Sequence, residues 1–120
     1  MPLVLLQYRH ERGLEEIAQK LAQELPNIVS RALDVPGNND ERLNPVDIEV
    51  RVYESGKYFV NAQDLEMTII AHDYPERTEN IEARKDVILD GVRKLLAYYD
   101  RNVSGWVWVL PQQNTAFGKI

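Results

Sequence analysis

The sequence predicts an α/β fold: two tandem β-α-β units forming one four-stranded mixed sheet with two helices on one face. Three observations carry this. Apolar residues recur at helical spacing in two stretches, from Leu14 to Ala32 and from Ile81 to Tyr99. Each stretch is flanked by short apolar or alternating runs, residues 3–8 and 46–54 around the first and 64–71 and 106–110 around the second. The second half therefore repeats the order of the first, as pseudo-repeats 1–60 and 61–120 of a single domain spanning 1–120.

Taken in order, Leu3-Val4-Leu5-Leu6 reads as a buried strand, and Pro2 stands at the one strand position that tolerates a missing N–H. Leu14, Ile17, Leu21, Leu25, Ile28 and Ala32 lie along one helical face, within which Pro26 predicts a kink or short break. Residues 34–45 carry Pro36-Gly37-Asn38-Asn39 and Asn44-Pro45 without periodicity and read as a loop. Residues 46–54 alternate and read as strand two. Ser55-Gly56-Lys57 reads as a turn, and Tyr58-Phe59-Val60 as a short extra strand.

In the second half, Leu65, Met67, Thr68, Ile69 and Ile70 predict a strand that Pro75 stops. Thr78 is the expected helix cap, with Glu79 and Glu82 in a first turn that suits carboxylates. Ile81, Ile88, Val92, Leu95, Leu96 and Tyr99 mark the buried helical face. Trp106 and Trp108 alternate with valines and share one side of the last strand. The tail from Pro111 to Ile120 is expected to form a small ribbon, with Asn114, Thr115 and Phe117 reaching a neighbouring site.

Composition narrows the function. The chain has 120 residues, a net charge of −5 and no cysteine. Phosphate neutralisation drives nucleic-acid binding, so an acidic chain argues against that partner. Disulfides and thiol chemistry are excluded. No segment reads as a signal peptide or membrane span, and a cytoplasmic protein with no membrane partner is expected. His10 and His72 stand alone on different elements and make no metal-ligand cluster, and the scattered glycines form no phosphate-loop fingerprint, so neither a metal nor a cofactor is expected. With both helices on one face, the other sheet face is left to be covered by association, and an oligomer follows.

Pro2 is the candidate reactive residue. Removal of Met1 would leave a secondary amine anchored to the sheet, with a reference pKa of about 8 that burial or a nearby cation lowers toward neutrality. Such an amine is a general base that needs no side chain.

A ferredoxin-like regulatory module fits the same element order. The residues point further, however. Pro2-Leu3-Val4-Leu5-Leu6, Arg12-Gly13-Leu14-Glu15-Glu16 and Ser30-Arg31-Ala32-Leu33-Asp34-Val35-Pro36 resemble the first strand, loop and helix exit of 4-oxalocrotonate tautomerase and its relatives. Glu54-Ser55-Gly56-Lys57-Tyr58-Phe59 is similar to the turn bearing that family's aromatic pocket residue. Pro75-Glu76-Arg77-Thr78, followed by Glu82 and Lys85, is similar to the strand-to-helix junction of double-length members of the tautomerase superfamily. Those include 5-carboxymethyl-2-hydroxymuconate isomerase, malonate semialdehyde decarboxylase and the chloroacrylic acid dehalogenases.

The resemblance implies a tautomerase in which Pro2 is the acid/base acting on a small enol or 2-oxo carboxylate, assembled as a homotrimer. Arg77, Arg12 and Arg51 would hold the substrate carboxylate, arginine being the bidentate, permanently charged choice. Phe59, beside Tyr58, would be the apolar wall. One departure stands out: the family's strand-two arginine aligns with Glu49, although Arg51 shares its strand face. Decarboxylase, hydratase or dehalogenase chemistry would also need a carboxylate, and Glu54, Asp64 and Glu66 are the choices. The alternative is a non-catalytic oligomeric module that binds small anions on the same fold.

Overall fold

The computed structural model describes residues 2–37, 41–99, 101–113, 116, 118 and 120. Strand β1 (Leu3–Tyr8) leads into helix α1 (Glu15–Leu33), a 3₁₀ turn (Pro45–Asp47) and strand β2 (Glu49–Glu54). The second unit is strand β3 (Leu65–His72), a short helix α2 (Pro75–Thr78), helix α3 (Ile81–Leu96) and strand β4 (Gly105–Gln112). The strands form one mixed sheet in the order β2-β1-β3-β4. Each unit pairs its own strands in parallel, and the two units join through antiparallel β1 and β3.

Side-chain alternation divides the sheet into two faces. Val4 and Leu6 of β1 and Leu65, Met67, Ile69 and Ala71 of β3 are buried beneath Ile17, Leu21, Leu25 and Val29 of α1 and Ile88 and Val92 of α3. The register aligns the remaining residues on the opposite face. Its rows are Glu49-Leu3-Ile70-Leu110, Arg51-Leu5-Thr68-Trp108 and Tyr53-Gln7-Glu66-Trp106. No helix among the described residues covers this face, where Tyr53, Trp106 and Trp108 remain about half exposed. Glu66 is its polar centre: one carboxylate oxygen accepts from the Gln7 amide at 2.9 Å and the other from the Trp106 indole at 2.8 Å.

Several local expectations change. Helix α1 continues through Pro26 rather than breaking there. The buried stripe on both sides of the proline holds the helix against the sheet, so tertiary packing outweighs one missing donor. Val46 and Asp47, expected in strand two, belong with Pro45 to the 3₁₀ turn, and β2 begins at Glu49. Asn44 and Asp47 close that turn as a reciprocal capping box, and Pro45 takes its first position. Tyr58, Phe59 and Val60 form no strand; they sit in an exposed loop of turns and bends. Thr78 ends α2 rather than capping α3. Its hydroxyl donates to the Asp73 carboxylate, and Asn80 occupies the N-cap of α3. In the tail, Pro111 and Gln112 extend β4, whereas Asn114, Thr115 and Phe117 lie outside the described residues.

Glycine is required where β4 begins. Gly105 lies against Leu65, and a Cβ there would fall 2.3 Å from the Leu65 carbonyl oxygen. Backbone cannot yield as a flexible side chain can. Gly105→Ala is therefore expected to destabilise the protein by about 1–3 kcal/mol, read as a lower urea midpoint at unchanged m-value.

Candidate functional site

Pro2 is buried immediately before β1, where its carbonyl accepts the Glu49 N–H at 3.3 Å. One further step of the β1–β3 register sets Pro2 opposite Ala71, itself buried. Strand parity aligns Pro2 with Val4 and Leu6 on the helix-facing side. Pro2 is thus held to β2 through its carbonyl and lies on the side of the sheet that faces the helices.

Arg77 occupies the same end of the sheet. It is only 2 % exposed and is among the largest fully buried side chains of the chain. Its guanidinium donates through Nε to the Leu33 carbonyl at 2.9 Å and through Nη1 to the His72 carbonyl at 3.0 Å. Nη2 reaches the Glu41 carbonyl at 3.4 Å. The Tyr74 ring lies 5.2 Å from the guanidinium carbon. Burial lowers the Arg77 pKa below its ordinary value and the Arg84 charge adds to this, while Glu41, Tyr74 and Asp34 oppose it.

Arg84 reinforces the arrangement by donating Nη1 to the carbonyls of Ala32 and Asp34, at 3.0 and 2.9 Å. Two arginines of the second unit thus satisfy carbonyls that the end of α1 leaves without helical partners. Arg77, the arginine expected to hold a substrate carboxylate, is therefore occupied within the subunit. Its fork is engaged by backbone from three segments.

The other expected site residues stand elsewhere. Arg12 lies in the loop after β1, with Nε 3.4 Å from the buried Asp64 carboxylate. Its carbonyl, with that of Gly13, accepts from the Arg101 guanidinium. Phe59 lies beyond the end of β2 and is 59 % exposed. Its ring covers Gly56, where a Cβ would meet it at 2.8 Å, and its N–H donates to the Gly56 carbonyl. Exposed Tyr58 has the Lys57 ammonium 5.0 Å from its ring centre. Arg51 is in the middle of β2 on the open face, paired with Glu49.

The subunit therefore groups Pro2 with Arg77 at one end of the sheet and Arg12 with Phe59 at the other. The six residues of β1 between these ends span about 20 Å. Among the carboxylates, Asp64 is engaged by Arg12 and the Ser104 N–H, and Glu66 by Gln7 and Trp106. Glu54 neighbours Tyr8, whose phenol pKa is raised by partial burial and then by Glu15 and Glu54. The described residues contain no group of three or more His, Cys, Asp or Glu able to hold a metal ion, and no helix long and apolar enough to cross a membrane. Sequence reasoning missed the anchoring role of Arg84 and the pairing of His10 with carboxylates. The signal for the second was Glu11 beside it and Glu54 closing the parallel partner of β1.

Comparison with known structures agrees with this architecture. 5-Carboxymethyl-2-hydroxymuconate delta-isomerase superimposes with a TM-score of 0.65 at 14% identity, over 100% of this chain and 87% of that one. A macrophage migration inhibitory factor-like protein from Entamoeba histolytica gives 0.62 at 16% identity, covering 99% and 95%. A fused 4-OT solved as an asymmetric trimer gives 0.61 at 16% identity, covering 98% and 91%. No protein-family model matches the chain, and no curated protein matches it in sequence. The chain shares the fold of these solved structures.

The Arg77 geometry makes a stability prediction. Arg77→Met strips donors from three carbonyls and is expected to cost about 3–5 kcal/mol. Arg77→Lys restores little, because one ammonium cannot reproduce a planar fork. Urea denaturation of both variants checks this. A Lys variant as stable as the parent would mean that charge, not the fork, is what the site needs.

Proposed function

We propose that the protein is a tautomerase in which Pro2, freed by removal of Met1, is the acid/base for a small enol or 2-oxo carboxylate. The observation carrying this reading is the buried position of Pro2 at the start of β1 in this fold. An enol acid such as phenylenolpyruvate illustrates the step. The neutral amine takes the enol O–H proton, the C=O forms as the C=C bond is lost, and the ammonium returns a proton to carbon. The reaction is redox-neutral and needs no cofactor. A cation beside the developing enolate lowers the barrier, and an apolar wall keeps the amine neutral.

The site is composite. Pro2 and Arg77 at one end of a subunit cannot act directly with Arg12 and Phe59 at the other. In a homotrimer, a neighbour's Arg12 or Arg51 meets the substrate carboxylate, and its Phe59 walls the pocket. The apolar and aromatic open face supports assembly, because patches of this kind are uncommon on stable monomers. Arg77 holds the strand end and helix exit around Pro2.

Two experiments test this. Intact mass should show loss of Met1, and Pro2→Ala should reduce phenylenolpyruvate ketonisation by about 10²–10⁴-fold without changing the oligomer. Retained Met1, or turnover indifferent to the substitution, removes the amine mechanism. Trp108→Glu places a charge on the open face and is expected to convert the trimer to monomers in light scattering. Turnover should fall with it. Full activity in a proven monomer would exclude a composite site.

A further inference from the structure

His10 joins the two loops that carry Arg12 and Phe59. Its Nδ1 lies 2.9 Å from Oε1 of Glu54, at the end of β2, and its Nε2 lies 3.2 Å from Oε1 of Glu11. The His10 N–H donates to the hydroxyl of Ser55, a buried residue, at 3.0 Å. One imidazole thus has a carboxylate at each ring nitrogen. A neutral imidazole offers one N–H and one lone pair, and a lone pair facing a carboxylate is repelled. Both contacts are favourable together only when the ring is an imidazolium.

The backbone supplies a second, independent observation. Glu11 has φ 61°, in the left-handed region that non-glycine residues seldom occupy, and Gly13 follows at 65°. The loop is thus held in a costly conformation, and the Glu11 side chain is the one that reaches Nε2. Around it, Arg12 pairs with Asp64, and Arg101 donates to the carbonyls of Arg12 and Gly13. The charged groups that act on His10 are Glu54 from β2 and Glu11 from its own loop; the Tyr8 phenol also feels Glu54, and the Arg12–Asp64 pair belongs to the same loop region.

We propose that His10 is a proton-dependent positioning residue, whose imidazolium clasps the 9–13 loop to the 54–59 segment and so sets where Arg12 and Phe59 stand. Its regulatory meaning rests on the composite site proposed above; the clasp itself does not. The hydrogen bond to Glu54 raises the His10 pKa above its ordinary 6.5, partial burial opposes this, and the charges of Glu54 and Glu11 add to the rise. The clasp therefore contributes fully below the unfolded value and is lost as pH climbs through the raised folded value. Mildly acidic conditions hold the two loops together, and alkaline conditions release them.

The test uses the intact protein and two readouts: the His10 imidazole midpoint by NMR, and amide exchange of residues 11–13 and 56–59 corrected for intrinsic rates. The expected midpoint lies above the ordinary value, and protection falls roughly tenfold between about pH 6 and 8.5 with that same midpoint. His10→Gln should make protection pH-independent. Should that variant misfold, Glu11→Gln removes one arm and is expected to lower the midpoint and loosen residues 11–13 at acidic pH. An ordinary or depressed midpoint, or wild-type protection that ignores pH, overturns the proposal. Where Pro2→Ala abolishes turnover, His10→Gln should raise KM with kcat little changed and remove the alkaline rise in KM. Absence of any Pro2-dependent turnover would sink the enzyme reading while leaving the exchange result to decide the clasp.

Discussion

The antiparallel ladder between β1 and β3 is the constraint on which the rest of the molecule depends. Each unit alone would be two parallel strands and a helix, too little to bury a core. Joining the units through their first strands makes a four-stranded sheet and brings α1 and α3 side by side over it. Because the joint is antiparallel, equivalent points of the two units fall at opposite ends of the sheet. The loop after β1, with His10 and Arg12, stands at one end. The turn after β3, with Tyr74 and Arg77, stands at the other, beside Pro2. The division of the site residues follows from this topology and not from any local feature.

At the Pro2 end, a buried guanidinium replaces the packing that apolar side chains supply elsewhere. Three elements stop there together: α1 runs out at Leu33, β3 at His72, and the segment from Glu41 turns toward β2. Each leaves carbonyls pointing inward, where an unpaired acceptor costs about 1–3 kcal/mol. One planar fork with divergent donors serves all three, with Arg84 completing the helix exit. Desolvation of the charge is partly offset by Glu41 and Asp34. Pro2 is joined to the same region, since its carbonyl accepts the Glu49 N–H and its strand partner Ala71 leads directly to His72.

Much of this was legible in the sequence. Period-2 and period-3.6 patterns identified all four strands and both long helices, because one face of each is buried in a single core. Element edges were less legible where local chemistry competed. Val46-Asp47 looks like the start of a strand until the reciprocal cap between Asn44 and Asp47 is seen. Thr78 looks like a helix cap until Asp73 takes its hydroxyl. The apolar string Tyr58-Phe59-Val60 suggested a strand, but it joins no strand and instead lays Phe59 over Gly56. The arginines were the least legible. A positively charged residue after a strand reads as solvent-facing by default, and only the meeting of α1, β3 and the 41 segment explains why Arg77 is inside. Arg12 and Arg77 occupy equivalent positions in the two units, yet one pairs with a carboxylate at the surface and the other with carbonyls in the interior.

The same topology explains why the open face cannot be dismissed as ordinary surface. Two β-α-β units of the same hand, joined antiparallel, must place both helices on one side, so no helix among the described residues covers the other. A chain selected to remain a monomer would place charges along it. Here the rows carry Leu3, Leu5, Ile70, Leu110, Trp106 and Trp108 beside a few charges that are already satisfied within the sheet. Glu66 accepts from Gln7 and Trp106, and Arg51 Nε pairs with Glu49, so part of the polar demand of these groups is met within the sheet. Pre-paired charges on an apolar face lower the desolvation cost of covering it. The interior of one subunit and the outside of its sheet are thus built by one rule, in which polar groups are satisfied locally before apolar surface is buried.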